Sequence, residues 1–210
     1  MLVIKGTCVS PGVAMGVLRF LKNEPVAIQR EKIDDAENEV SRFEKARHTA
    51  YAQLDELYQE ALHKVGGEGA AVFDIHKMML DDLDYRESVA DIICTQKVNA
   101  EYAVSLTAQK FAGIFSSMND TYMQGRAADV FDISERIQRA LRPESYDTFE
   151  LSTPSILVAR DIAPSTVVQF DKSMILGLAT AEGADNSHTA ILARSMRIPD
   201  RKSTRLNSSH

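Results

Sequence analysis

The sequence predicts an α+β protein in two interleaved parts: a split α/β domain, residues 1–24 and 147–200, with an all-helical bundle at 25–146 inserted into it. Three observations carry this. Short apolar runs of the strand type occur only near the two ends of the chain. Between Ile33 and Leu141 the apolar residues recur every three or four positions, the period of a helix with one buried face. Pro25 and Pro143 mark the two changes of pattern.

The elements follow in order. Leu2-Val3-Ile4 is β-branched and apolar, Ser10-Pro11-Gly12 is a turn signal, and Val13, Met15 and Val17 alternate with small residues up to Leu21. From Ile33 through Ala36, Val40, Phe43, Ala50, Leu54, Leu57, Ala61 and Val65 the spacing predicts a helix of about nine turns, with Arg47 as the one interruption. Asp34 and Asp35 suit its dipole, and Gly66-Gly67-Glu68-Gly69 is expected to stop it. Further helices are predicted over 70–81, 84–95, 100–118 and 127–141, with short connections that imply antiparallel neighbours. After Pro143, Ser155–Ala159 and Ser173–Thr180 read as strands, Pro164 opens a short helix, and a last helix runs from Thr189 to Met196.

Composition bounds the class. Of 210 residues 44% are hydrophobic and 26% charged, ordinary for a globular protein. The net charge of −6 argues against nucleic-acid binding and leaves room for a basic protein partner. No apolar run reaches the roughly 20 residues needed to cross a bilayer, no signal peptide is evident, and the two cysteines, Cys8 and Cys94, suit a reduced, cytoplasmic setting. Residues 201–210 stand apart, with three basic and no acidic residues. They resemble a translated sequencing adapter and are excluded from fold reasoning.

The stretch with the clearest chemistry is Gly183-Ala-Asp-Asn-Ser-His188-Thr-Ala-Ile-Leu-Ala-Arg194. A small, turn-forming run ends in a histidine where a helix starts. Unpaired backbone N–H groups and the helix dipole favour a dianion there. A neutral imidazole is nucleophilic near pH 7, so His188 can accept a phosphoryl group and pass it on. Gly183 permits close approach, and Asn186, Ser187 and Thr189 are candidate phosphate or loop supports, as are Ser165 and Thr166 after Pro164. The alternative is a loop histidine at a helix start and nothing more. A Ser187 nucleophile lacks the Gly-x-Ser-x-Gly elbow. His76 lies on an apolar helix face and reads as a packed, satisfied histidine; His48 and His63 read as solvated; no metal-ligand spacing is present.

Asn186-Ser-His-Thr-Ala-Ile-Leu-Ala-Arg-Ser-Met-x-Ile-Pro199 resembles the phosphohistidine signature of the phosphoenolpyruvate-utilising enzymes. Three more segments resemble those of one branch, Enzyme I of the bacterial sugar phosphotransferase system. These are Ser10-Pro-Gly-x-Ala-x-Gly16, Phe73-x-x-His-x-Met-Met-Leu-x-Asp82 and Arg126-Ala-Ala-Asp-Val-x-Asp-Ile133. The resemblance implies a swivelling phosphohistidine domain and a helical docking domain. It implies that His188 takes phosphate from phosphoenolpyruvate and gives it to a histidine of the phosphocarrier HPr. Glu68, Met78, Met79, Asp82, Asp84 and Arg126 match its HPr-docking face. Exposed methionines would supply an adaptable apolar patch and the acids would steer a basic partner. Domain rotation is expected, because one histidine must reach two partners.

The family binds phosphoenolpyruvate and Mg²⁺ in a C-terminal (β/α)₈ barrel that also dimerises. That barrel is expected to lie beyond this chain, so no cofactor is expected here and phosphoenolpyruvate is reached only through the missing part. Two departures stand out: Ala184 and Asn186 replace a glycine and a threonine of the family loop, and Val167 stands where the family's histidine-contacting threonine is expected. Whether Ser165 or Thr166 orients His188 stays open. Alternatives are a nitrogen-regulatory or dihydroxyacetone-pathway paralogue and a non-catalytic HPr-docking module. Dikinase and synthase relatives lack the helical insertion.

Overall fold

Alternating burial in Ser155–Ala159 (β3) and a nearly continuous apolar run in Ile175–Thr180 (β4) suit these to two of the three inner positions of a five-stranded sheet. With Gly6–Ser10 (β1), Val17–Phe20 (β2) and Asp200–Ser203 (β5) the order is β1-β5-β4-β3-β2. Strands β2, β3, β4 and β5 are parallel to their neighbours, and β1 is antiparallel to β5. This computed structural model describes residues 6–21, 27–142, 151–181 and 187–203. The expected Leu2–Ile4 strand lies outside them. Residues 201–203, at the head of the compositionally distinct tail, belong to β5. Strand pairing runs through the backbone and so places few demands on the polar side chains there.

The helices are Ala36–Asp81 (α1), Leu83–Gln96 (α2), Ala100–Ser116 (α3), Thr121–Leu141 (α4), Pro164–Gln169 (α5) and His188–Ser195 (α6). A single 3₁₀ turn, Lys172–Met174, precedes β4 where a longer strand was expected. Among the described residues no helix is long and apolar enough to cross a membrane.

The two helices expected on either side of the glycine cluster are both present: Ala36–Asp81 is a pair of helices that meet at Gly66, whose φ of 80° and ψ of −179° are non-helical. Only glycine adopts that conformation without steric cost. The chain folds back there, since Lys77 Nζ donates to Asp55, 22 residues earlier, at 2.8 Å, where an unbroken helix would hold them about 33 Å apart. Helix α4 starts six residues before the expected 127, because Asp120 caps it by accepting the Tyr122 N–H at 2.8 Å. Asp35 caps α1 through the Asn38 N–H, and Asp82 caps α2 through the Tyr85 N–H.

The chain divides into two compact units. The α/β unit holds the sheet, α5, α6 and also residues 57–72 of α1, which the sequence assigns wholly to the helical insertion. The reason is local packing. A Cβ at Gly69 would lie 2.5 Å from Val65 Cγ2 and 3.4 Å from Leu192 Cδ2, so its absence lets α1 and α6 approach. Lys64 Nζ donates to the carbonyls of Val168 (2.7 Å) and Phe170 (3.2 Å) at the end of α5.

The helical unit, residues 26–56 and 73–148, buries Phe43, Leu54, Phe73, Leu80, Val89, Ile93, Ile133 and Ile137 almost completely. Each such side chain contributes about 1.5–3 kcal/mol by leaving water. Arg47, which breaks the apolar period, is 3% exposed; it pairs with Glu44 at 2.8 Å and with Asp81. At the far end of the bundle Arg42 binds Glu39 and Glu101, both at 2.7 Å, and Arg142 Nε donates to Glu101 at 3.0 Å. Glu39 also accepts the Ala100 N–H at 2.6 Å, which ties the start of α3 to α1.

Burial pushes the Glu101 carboxyl up, but the hydrogen bonds and charge of Arg42, with Arg142, outweigh it, and the group sits below its ordinary 4.5. A depressed carboxyl contributes fully above its unfolded-state value and loses that contribution as pH falls through the folded-state value. Urea unfolding of the helical unit should therefore show stability that is level from neutrality to about pH 5 and falls below it. Replacing Glu101 with Ala should remove about 1–3 kcal/mol at pH 7, because Arg42 and Arg142 each lose one of their carboxylates and keep Glu39 and Glu31, and should flatten the acid decline.

Candidate functional site

His188 is the first residue of α6. It follows the carboxyl end of β4, the end at which open parallel sheets place their ligands. Ser187 is the N-cap: its Oγ accepts the Ala190 N–H at 3.3 Å, and its carbonyl accepts the Ile191 N–H at 3.0 Å. The Ser187 hydroxyl is also 3.0 Å from Lys202 Nζ. Helix α6 is held at both ends, since Arg194 Nε donates to the Val9 carbonyl of β1 at 3.1 Å.

Thr189 is buried, and its hydroxyl donates to the Ile162 carbonyl at 2.5 Å. That hydroxyl serves the link between α6 and the segment leading into α5, as the loop-support reading of Thr189 has it. Ser165 and Thr166 lie half-buried in the first turn of α5, which packs on α6. The sequence's candidates Gly183 and Asn186 lie outside the described residues.

Two carboxylates of this unit, those of Asp161 and Asp200, enter its polar network. Asp161 accepts the Ile162 N–H at 2.9 Å. Asp200 is 3% exposed among cations; burial pushes its carboxyl up against the opposing pull of Lys202 and Arg194.

In the helical unit, Met78, Met79, Asp82, Asp84 and Arg126 line one apolar hollow of about 390 Å³. Met78 is 73% exposed, so one of the two methionines does face outward. Asp82 and Asp84 are exposed at the start of α2, and Arg126 is 8% exposed in the wall. Glu68, exposed on α1, belongs to the α/β unit and is not part of this hollow. Phe111, Phe115 and Met123 are among the other lining residues. Their signal in the sequence is the i, i+4 pair Phe111/Phe115, which reads there only as core.

His76 is 3% exposed and its Nε2 lies 3.2 Å from Asp129 Oδ1, the packed and satisfied state expected of it. Tyr85, fully buried beneath the hollow, shares a 2.8 Å hydrogen bond with Ser134; burial raises its hydroxyl's pKa well above the ordinary value and Ser134 only partly offsets this.

Comparison with known proteins adds the following. The family described as PEP-utilising enzyme, N-terminal, matches residues 5–126, and PEP-utilising enzyme, mobile domain, matches residues 151–200. The chain is 35% identical over 197 residues to the phosphoenolpyruvate-protein phosphotransferase of Mycoplasma capricolum, covering 93% of this chain and 34% of that protein. It is 36% identical over 199 residues to the same-named protein of Haemophilus influenzae, covering 93% and 35%. The chain thus spans about a third of the length of these relatives. A solution structure of Enzyme I superposes with a TM-score of 0.74 at 34% identity, over 94% of this chain and 81% of the other. The N-terminal domain of "Enzyme 1 - Nitrogen", 24% identical with a TM-score of 0.66 over 95% and 83%, shares the fold.

Two substitutions test the anchoring of α6. Thr189→Val leaves the Ile162 carbonyl without its donor and should lower the stability of the α/β unit by about 1–3 kcal/mol. Ser187→Ala, which removes the cap, should cost about 1 kcal/mol. Both are read by thermal unfolding followed by hydrogen exchange in α6.

Proposed function

The chain belongs to the family of PEP-utilising enzymes, and from that membership we propose that His188 is the relay point of a phosphoryl transfer from phosphoenolpyruvate to the phosphocarrier HPr. The observation that carries this reading is the placement of His188 at the first residue of α6, within the stretch matched to the family's mobile domain.

The chemistry is two in-line displacements. An imidazole nitrogen of His188 attacks the phosphorus, the bond to the enolate oxygen of phosphoenolpyruvate breaks, and the enolate leaves to become pyruvate. A histidine nitrogen of HPr then attacks the same phosphorus and the bond to His188 breaks. Little covalent work falls to the protein, so positioning and electrostatics dominate. Ser187 and Thr189 hold the helix start in place, and the positive end of α6 faces the developing charge.

We assign the phosphoenolpyruvate-binding step, the family's Mg²⁺ and dimerisation to parts of the relatives that this chain does not span. We assign HPr docking to the hollow bounded by Met78, Met79, Asp82, Asp84 and Arg126, as an inserted helical domain would supply it. Its apolar floor suits a side chain from the partner, and the carboxylates at its edge suit a basic protein. The setting is the cytoplasm.

The chain incubated with ³²P-labelled phospho-HPr should gain acid-labile label. His188→Ala should gain none while binding HPr within about twofold of the parent chain. Label on the Ala variant, or none on a parent chain whose circular dichroism is native, would overturn the reading. Incubation with labelled phosphoenolpyruvate and Mg²⁺ should leave the chain unlabelled. Titration against HPr and against a nitrogen-pathway carrier separates the paralogues.

A further inference from the structure

Helix α4 carries a buried charge whose purpose is not evident from stability. Arg126 Nη1 donates to Asp129 Oδ2 at 2.9 Å, one turn on along the same helix. Its Nη2 donates to the Tyr122 hydroxyl, one turn back, and its Cζ lies 4.6 Å from the centroid of the Tyr122 ring. Asp129 is 4% exposed, and its other oxygen faces His76 Nε2 on α1. Arg126 and Asp129 sit three residues apart on one helix, so their bond joins no two elements. A buried ion pair of this kind gives no more stability than apolar residues of the same volume.

What the arrangement does is fix and neutralise a guanidinium in the wall of an apolar hollow. Three contacts define the plane of the group. Only two of its five N–H donors are used by Asp129 and Tyr122. The Asp129 carboxylate also cancels the charge. A basic partner steered by Asp82 and Asp84 therefore meets an oriented donor rather than a repelling cation.

We propose that Asp129 is a positioning residue for partner docking: it holds Arg126 in plane and offsets its charge, so that the guanidinium can donate to acceptor oxygens of a basic protein. Tyr122 is the second, outer brace of the same group. This rests on the reading of the hollow as the HPr-docking face.

The test is a set of binding isotherms for HPr against the 210-residue chain and its variants, at low and high salt. Asp129→Asn should weaken HPr binding about tenfold at low salt, the size of a coupled contact. That loss should shrink as salt screens the uncovered charge. Asp129→Glu should recover part of it. In the double variant Arg126→Ala/Asp129→Asn, the loss should equal that of Arg126→Ala alone. Tyr122→Phe, at a residue 61% exposed and so harmless to folding, should weaken binding about threefold. It carries the test if Asp129→Asn does not fold. Wild-type-like binding by both Asp129→Asn and Tyr122→Phe would overturn the proposal and leave the docking site standing. So would losses from Arg126→Ala and Asp129→Asn that simply multiply. A parent chain that fails to bind HPr would overturn the docking reading and this proposal with it.

Discussion

One pair of helices, folded back on itself at Gly66, has to satisfy two cores. Residues 57–72 of α1 pack in the α/β unit, and the residues on either side of them pack in the helical unit. The constraint is met by glycine. Gly69 removes the side chain that would strike Val65 and keep Leu192 away. Gly66, at φ 80°, ends one helix and lets the next fold back against it, so that Lys77 meets Asp55 and Asp81 meets Arg47. The buried faces before and after the break need not lie on one stripe. His76, buried, and Met78, exposed, take their places from the second segment alone.

The buried charges of the helical unit divide by what they join. Arg42 and Glu101 are 59 residues apart in sequence, and Arg47 and Asp81 are 34 apart. These pairs hold α1 to α3 and bring the two ends of α1's helical-unit portions together. Each also desolvates a guanidinium beside more than one acceptor, which is the condition under which burial of charge is tolerated. Arg126 differs, because its partners Tyr122 and Asp129 are on its own helix. The carboxylate of Asp129 alone reaches across, to His76. The same ionic chemistry therefore has a tertiary use at one end of the bundle and a local, orienting use at the hollow.

Much of the fold was legible because periodicity is a property of one strand of sequence. The strand at 155–159, the helix starts at 83 and 100 and the helix at the histidine all lie within a few residues of their expected places. What was not legible needed a second element. Arg47 looked like an interruption because its partner Asp81 arrives from the other end of α1. Thr189 read as a phosphate or loop support, and the Ile162 carbonyl that takes its hydroxyl could not be named from the sequence. The hollow joins side chains from α1, α2, α3 and α4, so Phe111 and Phe115 read as core until the other helices were in place. The early start of α4 was readable from Asp120, but Gly125 and the polar residues around it weaken the apolar signal there.

The anchoring of α6 bears on how a relay histidine meets two partners. Ser187 takes the N–H of Ala190 with its side chain and that of Ile191 with its carbonyl; Thr189 bonds back to Ile162, and Arg194 to Val9. Two of these bonds cap the helix itself and two tie it to other parts of its unit, which leaves it little freedom of its own. A histidine on a loose loop could swing between donor and acceptor, but it would lose the oriented dipole and fixed geometry that make in-line transfer fast. A histidine on an anchored helix keeps both and gives up local reach. Under the proposed function the travel between phosphoenolpyruvate and HPr must then be made by the α/β unit as a body, with the strain absorbed in the segments that connect it. Rigid anchoring at His188 and rotation of the domain that carries it are thus two sides of one requirement.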